Sequence, residues 1–74
     1  MSATIEVADL ISGDRVRVTT AEGAIFIGTF RRRIFLALND DLVDEFAVFG
    51  VRGEQMPITV RELRKSTIEY LWSA

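Results

Sequence analysis

The sequence predicts a mostly-β domain: a small barrel of five or six short strands behind a short N-terminal helix. Three observations carry that expectation. Residues 14–20 alternate between polar and apolar side chains, and residues 24–30 form an apolar run with Gly28 at its centre. The third is size. At 74 residues the chain makes one domain, 1–74, whose own core is marginal without added support.

Thr4 to Ser12 reads as the helix, with Ile5, Ala8 and Leu10-Ile11 as its apolar stripe and Glu6 and Asp9 outside it. Glu6 falls in the first turn, where the helix dipole favours negative charge, and Gly13 is a suitable stop. Asp14 to Thr20 sets Val16, Val18 and Thr20 on one face and Arg15, Arg17 and Thr19 on the other, as a half-buried strand does. Ala21-Glu22-Gly23 turns the chain, the glycine being free to take positive φ. Ala24 to Phe30 is apolar on both faces, with Phe26, Gly28 and Phe30 against Ile25 and Ile27. Only one of those faces can meet the core. A glycine in mid-strand weakens the strand unless the chain bends there or another backbone comes close, and small barrels need such bends at their corners.

Arg31-Arg32-Arg33 interrupts the apolar pattern and is expected to cap a hairpin, with Ile34 to Leu38 as the third strand and Asn39-Asp40-Asp41 as its closing turn. Phe46 to Val51 reads as a strand followed by a turn at Arg52-Gly53-Glu54. Pro57 has no N–H to give a ladder and is expected to open the next strand. The segment 60–72 supports two readings. As a strand pair, it turns near Lys65-Ser66 and sets Ile68, Tyr70 and Trp72 on one face. As a helix, it starts with the capping box Thr59-x-x-Glu62, stapled by Ile58 and Leu63, and carries a stripe of Val60, Leu63, Thr67 and Leu71. The β-branched and aromatic content favours strands, and both readings stay open.

The stretch Val16-x-Val18-x-Thr20-x-Glu22-Gly23-x-x-Phe26-x-Gly28-x-Phe30 resembles the first half of the motif shared by the Sm-like family, including its bacterial Hfq branch. The resemblance implies an Sm-like, SH3-like small barrel with a leading helix, ring-forming assembly and RNA as a partner. Two departures bear on function. The family's uridine-binding Asp and Asn have no counterpart, since Arg31-Arg32-Arg33 stands where that loop would be. The second half of the motif fits either Val51-Arg52-Gly53 or Lys65-Ser66-Thr67-Ile68, and not both.

Composition narrows the function classes. With no histidine and no cysteine, the chain has neither an imidazole base nor a thiolate. The serines at 2, 12, 66 and 73 stand in tail, cap or turn contexts, and no glycine-rich phosphate loop opens a helix. An enzyme is not expected, nor is a cofactor. Asp40-Asp41-x-x-Asp44-Glu45 lacks the ligand alternation and glycine of a calcium loop, so no metal site is expected. The N-terminus lacks the basic and apolar pattern of a signal peptide and no run spans a membrane, so the expected setting is cytoplasmic.

A net charge of −2 gives no uniform attraction to nucleic acid, but bases cluster: residues 1–37 carry five bases against four acids, and 38–74 carry four against seven. Eight of the nine bases are arginine, the side chain suited to bidentate and stacked recognition. Arg31, Arg32, Arg33, Arg52 and Lys65 are the candidate nucleic-acid contacts. Ile25, Ile27, Phe46, Phe49, Tyr70 and Trp72 are the candidate protein-interface residues; Phe46 and Phe49 differ in parity, so one strand cannot bury both on one face. With disulfides and zinc ligands excluded, self-association is the stabilising device left. The expected molecule is a homo-oligomer, with a ring as one form it can take, acting as a protein-interaction or assembly module, with RNA binding as the alternative.

Overall fold

A computed structural model describes residues 3–39 and 42–73. The strands are β1 (Ala3–Thr4), β2 (Asp14–Thr19), β3 (Ile25–Asn39), β4 (Leu42–Val51), β5 (Glu54–Thr59) and β6 (Thr67–Ser73), with one helix, α1 (Val60–Arg64). They form a single antiparallel sheet in the order β1-β6-β2-β3-β4-β5. The mostly-β class and six strands agree with the sequence reading. The sheet is open: β1 and β5 are its margins.

The alternation in β2 does what its period requires. Val16 and Val18 are buried and meet Phe26, Gly28, Ile68 and Tyr70 across the ladder. Gly23 takes φ 90° in the β2–β3 turn. The β4–β5 hairpin closes on Arg52 and Gly53, at φ 52° and 81°, as a two-residue turn with both central residues left-handed demands. Pro57 lies inside β5 rather than opening it. β5 is a marginal strand, where a missing N–H leaves no outer ladder broken.

The N-terminal segment departs from expectation. Thr4 to Ser12 is not a helix: Ala3 and Thr4 pair with Tyr70 and Glu69, the Ile5 N–H donates to the Ile68 carbonyl at 2.9 Å, and only Val7–Asp9 makes a 3-10 turn. A helix this short is costly to nucleate, whereas the free side of β6 offers ready partners. Residues 60–72 combine the two readings. Thr59 Oγ1 accepts from the Glu62 N–H at 3.1 Å, so Thr59 caps the start of α1; the chain then turns and resumes as β6.

Two of the sheet's three register shifts decide what faces solvent; the third falls between Ala37 and Asn39 in β3. In β3, Phe30 pairs with Phe49 and Arg32 with Val48, leaving Arg31 as an extra residue. In β6, Tyr70 pairs with Val16 and Trp72 with Arg15, leaving Leu71 extra. An extra residue bends a strand and reverses which side its later residues occupy. The expected grouping of Ile68, Tyr70 and Trp72 on one face therefore fails at Trp72, which follows the bulge.

The core lies on one side of the bent sheet. Val16, Val18, Phe30, Ala47, Phe49 and Ile68 are covered there by Val7 and Leu10 of the N-terminal segment and by Val60 and Leu63 of α1. Phe49 stands edge-on to both Phe26 and Phe30, with ring centroids 5.5 and 5.7 Å apart. Asp14 is the one buried charged group among the described residues, and it accepts from the Ile11 N–H at 3.0 Å and from Ser73 Oγ at 2.6 Å. Among the described residues no helix is long and apolar enough to cross a membrane.

Candidate interaction surfaces

The first surface is a two-stranded arm. β2 stops pairing with β3 at Thr29, and β5 stops pairing with β4 at Phe46. Beyond those points, among the described residues, β3 and β4 pair as strands only with each other, from Phe35↔Glu45 to Asn39↔Leu42. Register places Phe35, Ala37, Val43 and Glu45 on one face of the arm and Leu36 and Asp44 on the other. Phe35 is 69 % exposed and Val43 60 %, while Leu36 is also exposed. A lone hairpin in water is marginal, so apolar side chains there are costly unless something covers them. Arg61 reaches Asp44 at 3.4 Å near the base of the arm.

The second surface is the side of the sheet opposite the core. Reading across the strands, Trp72, Arg15, Thr29, Gly50 and Gln55 are successive ladder partners. Four strand spacings of ~4.8 Å make this row about 19 Å long. Arg15 Nη1 donates to Thr29 Oγ1 at 3.0 Å. The Arg31 side chain lies over Gly50: a Cβ there would stand 3.0 Å from Arg31 Nε, so glycine makes room for the guanidinium. Arg32 Nη2 donates to Gln55 Oε1 at 3.2 Å. The bulge is what brings Arg31 and Arg32 to one side.

Beside the row, Arg15, Ile25, Phe26, Ile27, Val51 and Arg52 line an open groove. Arg17 makes a bidentate pair with Glu69, at 3.0 and 2.8 Å. That hydrogen bond, together with the carboxylate's charge, holds the Arg17 pKa above its ordinary value. Arg15, Arg31, Arg32 and Arg52 have no carboxylate within ion-pair distance among the described residues.

The expected arginine cluster is thus divided. Arg31-Arg32-Arg33 caps no hairpin; the three residues lie inside β3, because the strand continues past the bulge to Asn39. Arg33 turns away from the other two and donates to the Val7 carbonyl at 2.6 Å. Arg52 occupies the β4–β5 turn beside the groove. Lys65 ends α1 and is not part of the row. The expected acidic group Asp40-Asp41-x-x-Asp44-Glu45 is described only at Asp44 and Glu45, since Asp40 and Asp41 lie outside the described residues.

The interface candidates divide as well. Ile25, Ile27 and Trp72 are exposed, whereas Phe46 and Tyr70 are half-buried. Phe49 is 0 % exposed and offers a partner nothing. The parity argument holds: Phe49 pairs with Phe30 and Met56 toward the core, and Phe46 lies on the other face of β4. Sequence reasoning missed Phe35, Leu36 and Val43. Ile34-Phe35-Leu36-Ala37-Leu38 is apolar on both faces, the same signal that singled out Ile25 and Ile27, and it would have found the arm. Arg15 was also missed, and only the β6 bulge sets it against Trp72. In comparisons with protein-family models, curated proteins and solved structures, nothing matched this chain.

Proposed function

We propose that this chain is a non-enzymatic interaction module of Sm-like, SH3-like barrel type that works by assembling with copies of itself. The observation that carries this reading is the free arm with Phe35, Leu36 and Val43 in solvent. Natural domains this small commonly gain stability from oligomerisation, and an uncovered apolar hairpin is a reason to associate. The barrel type is supported by the strand order β6-β2-β3-β4-β5, by the close approach of Gly50 and Val51 to Gly28 and by the helical turn linking β5 to β6.

Sedimentation velocity at micromolar concentration tests it. The wild-type chain should sediment as an oligomer, and Phe35→Ser with Val43→Ser should shift it to monomer with unchanged far-UV circular dichroism. Burying one such side chain contributes about 1.5–3 kcal/mol, so each single substitution should raise the dissociation constant roughly 10- to 150-fold. A wild-type chain that stays monomeric and folded refutes the reading.

One observation favours a second reading, RNA binding. Arg15, Arg31 and Arg32 share the row with exposed Trp72, and single-stranded nucleic acid is held by such aromatic and basic faces. The net charge of −2 and the turning away of Arg33 count against it. Titrating uridine- and adenine-rich oligonucleotides at two salt concentrations decides it. Micromolar binding that weakens steeply with salt and with Arg31→Ala/Arg32→Ala supports RNA; no binding below about 100 µM retires it.

A further inference from the structure

We propose that assembly is head-to-tail: the β3–β4 arm of one copy seats in the groove lined by Arg15, Ile25, Ile27 and Arg52 of the next. This deepens the assembly reading and rests on it. The two surfaces match in chemistry. The arm presents Phe35 and Val43 with Glu45 on the same face, and its sequence adds Asp40 and Asp41. The groove presents Ile25 and Ile27, both exposed, together with Arg15 and Arg52, neither of which has a carboxylate partner among the described residues. Apolar meets apolar, and acids meet unpaired guanidiniums.

An arm-to-arm pairing would instead bring the acid-bearing Phe35/Val43/Glu45 face of one copy against the same face of the next, which like charge disfavours. The two surfaces are also separate parts of the fold. The arm is the unflanked end of β3 and β4, whereas the groove lies where β2, β3 and the β4–β5 turn meet. One chain can therefore give its arm and receive another at once. Such a contact is heterologous: it closes into a ring if the rotation per copy allows, and otherwise extends as a filament.

Arg52 adds support. A left-handed φ of 52° is costly for a side chain other than glycine, asparagine or aspartate, so the turn sets Arg52 beside the groove at the expense of backbone strain. Trp72, 54 % exposed and paired with Arg15 at the groove's margin, is the only tryptophan and so reports on it.

The test uses two variants of the full chain. Phe35→Ser/Val43→Ser disables the arm and leaves the groove intact. Ile27→Glu/Arg52→Asp disables the groove and leaves the arm intact, aspartate being tolerated at positive φ. Each variant alone should be a folded monomer by circular dichroism and sedimentation. Mixed, they should form a 1:1 heterodimer and no larger species, with a dissociation constant within about tenfold of the wild-type contact and a blue shift of Trp72 emission.

A groove variant that assembles as well as wild type overturns the proposal and leaves self-assembly through the arm standing. A mixture that stays monomeric overturns it too, and so does an arm variant that still assembles. If the mixture stays monomeric while an oligonucleotide shifts Trp72 emission in the arm variant, the groove belongs to nucleic acid. A monomeric wild-type chain fails earlier, at the assembly reading itself.

Discussion

Asp14→Ala should be among the most damaging polar substitutions in the chain. The carboxylate is 2 % exposed and joins three parts of the molecule: the N-terminal segment through Ile11, the start of β2, and the end of β6 through Ser73. Its two bonds differ in what remains when it is removed. The Ser73 hydroxyl, 2.6 Å away, still has Tyr70 at 2.7 Å, so that loss is close to the net worth of one bond to a charged group, about 1.5 kcal/mol. The Ile11 N–H bonds Asp14 Oδ2 at 3.0 Å, and because Ile11 is 65 % exposed water can replace the carboxylate, so this loss is also close to the net worth of one bond to a charged group, about 1.5 kcal/mol. Together these come to roughly 3 kcal/mol. For a domain of this size, 1 kcal/mol moves Tm by about 4–8 °C, so the midpoint should fall by about 12–24 °C.

Asp14→Asn keeps one accepting oxygen and should lose about half as much, and Ser73→Ala should lose about 1–1.5 kcal/mol. The double variant Asp14→Ala/Ser73→Ala should cost little more than Asp14→Ala, because the two residues share a bond. Urea unfolding followed by circular dichroism measures all four, at one fixed low protein concentration so that association does not enter the comparison. If Asp14→Ala loses less than about 1 kcal/mol, or if its effect adds fully to that of Ser73→Ala, the account of a buried carboxylate tying the chain's ends to β2 is wrong.

Gly28→Ala should lower the urea midpoint by about 1–3 kcal/mol of stability with an unchanged slope. Its Cβ would stand 3.0 Å from Val51 Cγ2 and 3.2 Å from the Gly50 carbonyl oxygen, and backbone cannot step aside as a side-chain tip can. Thr59→Ala should cost about 1 kcal/mol by removing the cap that accepts from the Glu62 N–H, and Thr59→Ser should restore it. Phe49→Ala should cost about 3–5 kcal/mol and leave the chain largely unfolded at 37 °C, whereas half-buried Phe46→Ala should cost clearly less; equal losses would contradict the placement of the core. Arg17→Ala should change stability by under about 1 kcal/mol in low salt and by less in high salt, as thermal melts will show, since the pair with Glu69 is partly exposed.

Only local features were legible in the order of the residues. The alternation of Val16 and Val18, the glycine turn at 21–23 and the turn at Arg52-Gly53-Glu54 each depend on a few neighbouring residues and are readable from them, whereas the Thr59 cap is one of two readings those residues leave open. Phe46 and Phe49 were separable by parity alone, because the period of a strand is two residues. What the tertiary structure decided depended on a partner strand. Whether Thr4 extends β6 or starts a helix, whether Arg31 ends a strand or bulges within one, and which face Trp72 takes all turn on a ladder formed with residues far along the chain. Each bulge reverses the faces of the residues beyond it, so the arginine row and the exposed tryptophan follow from pairing. The arm exists because β2 and β5 stop short of the β3–β4 tip, a difference in strand lengths that no local pattern encodes.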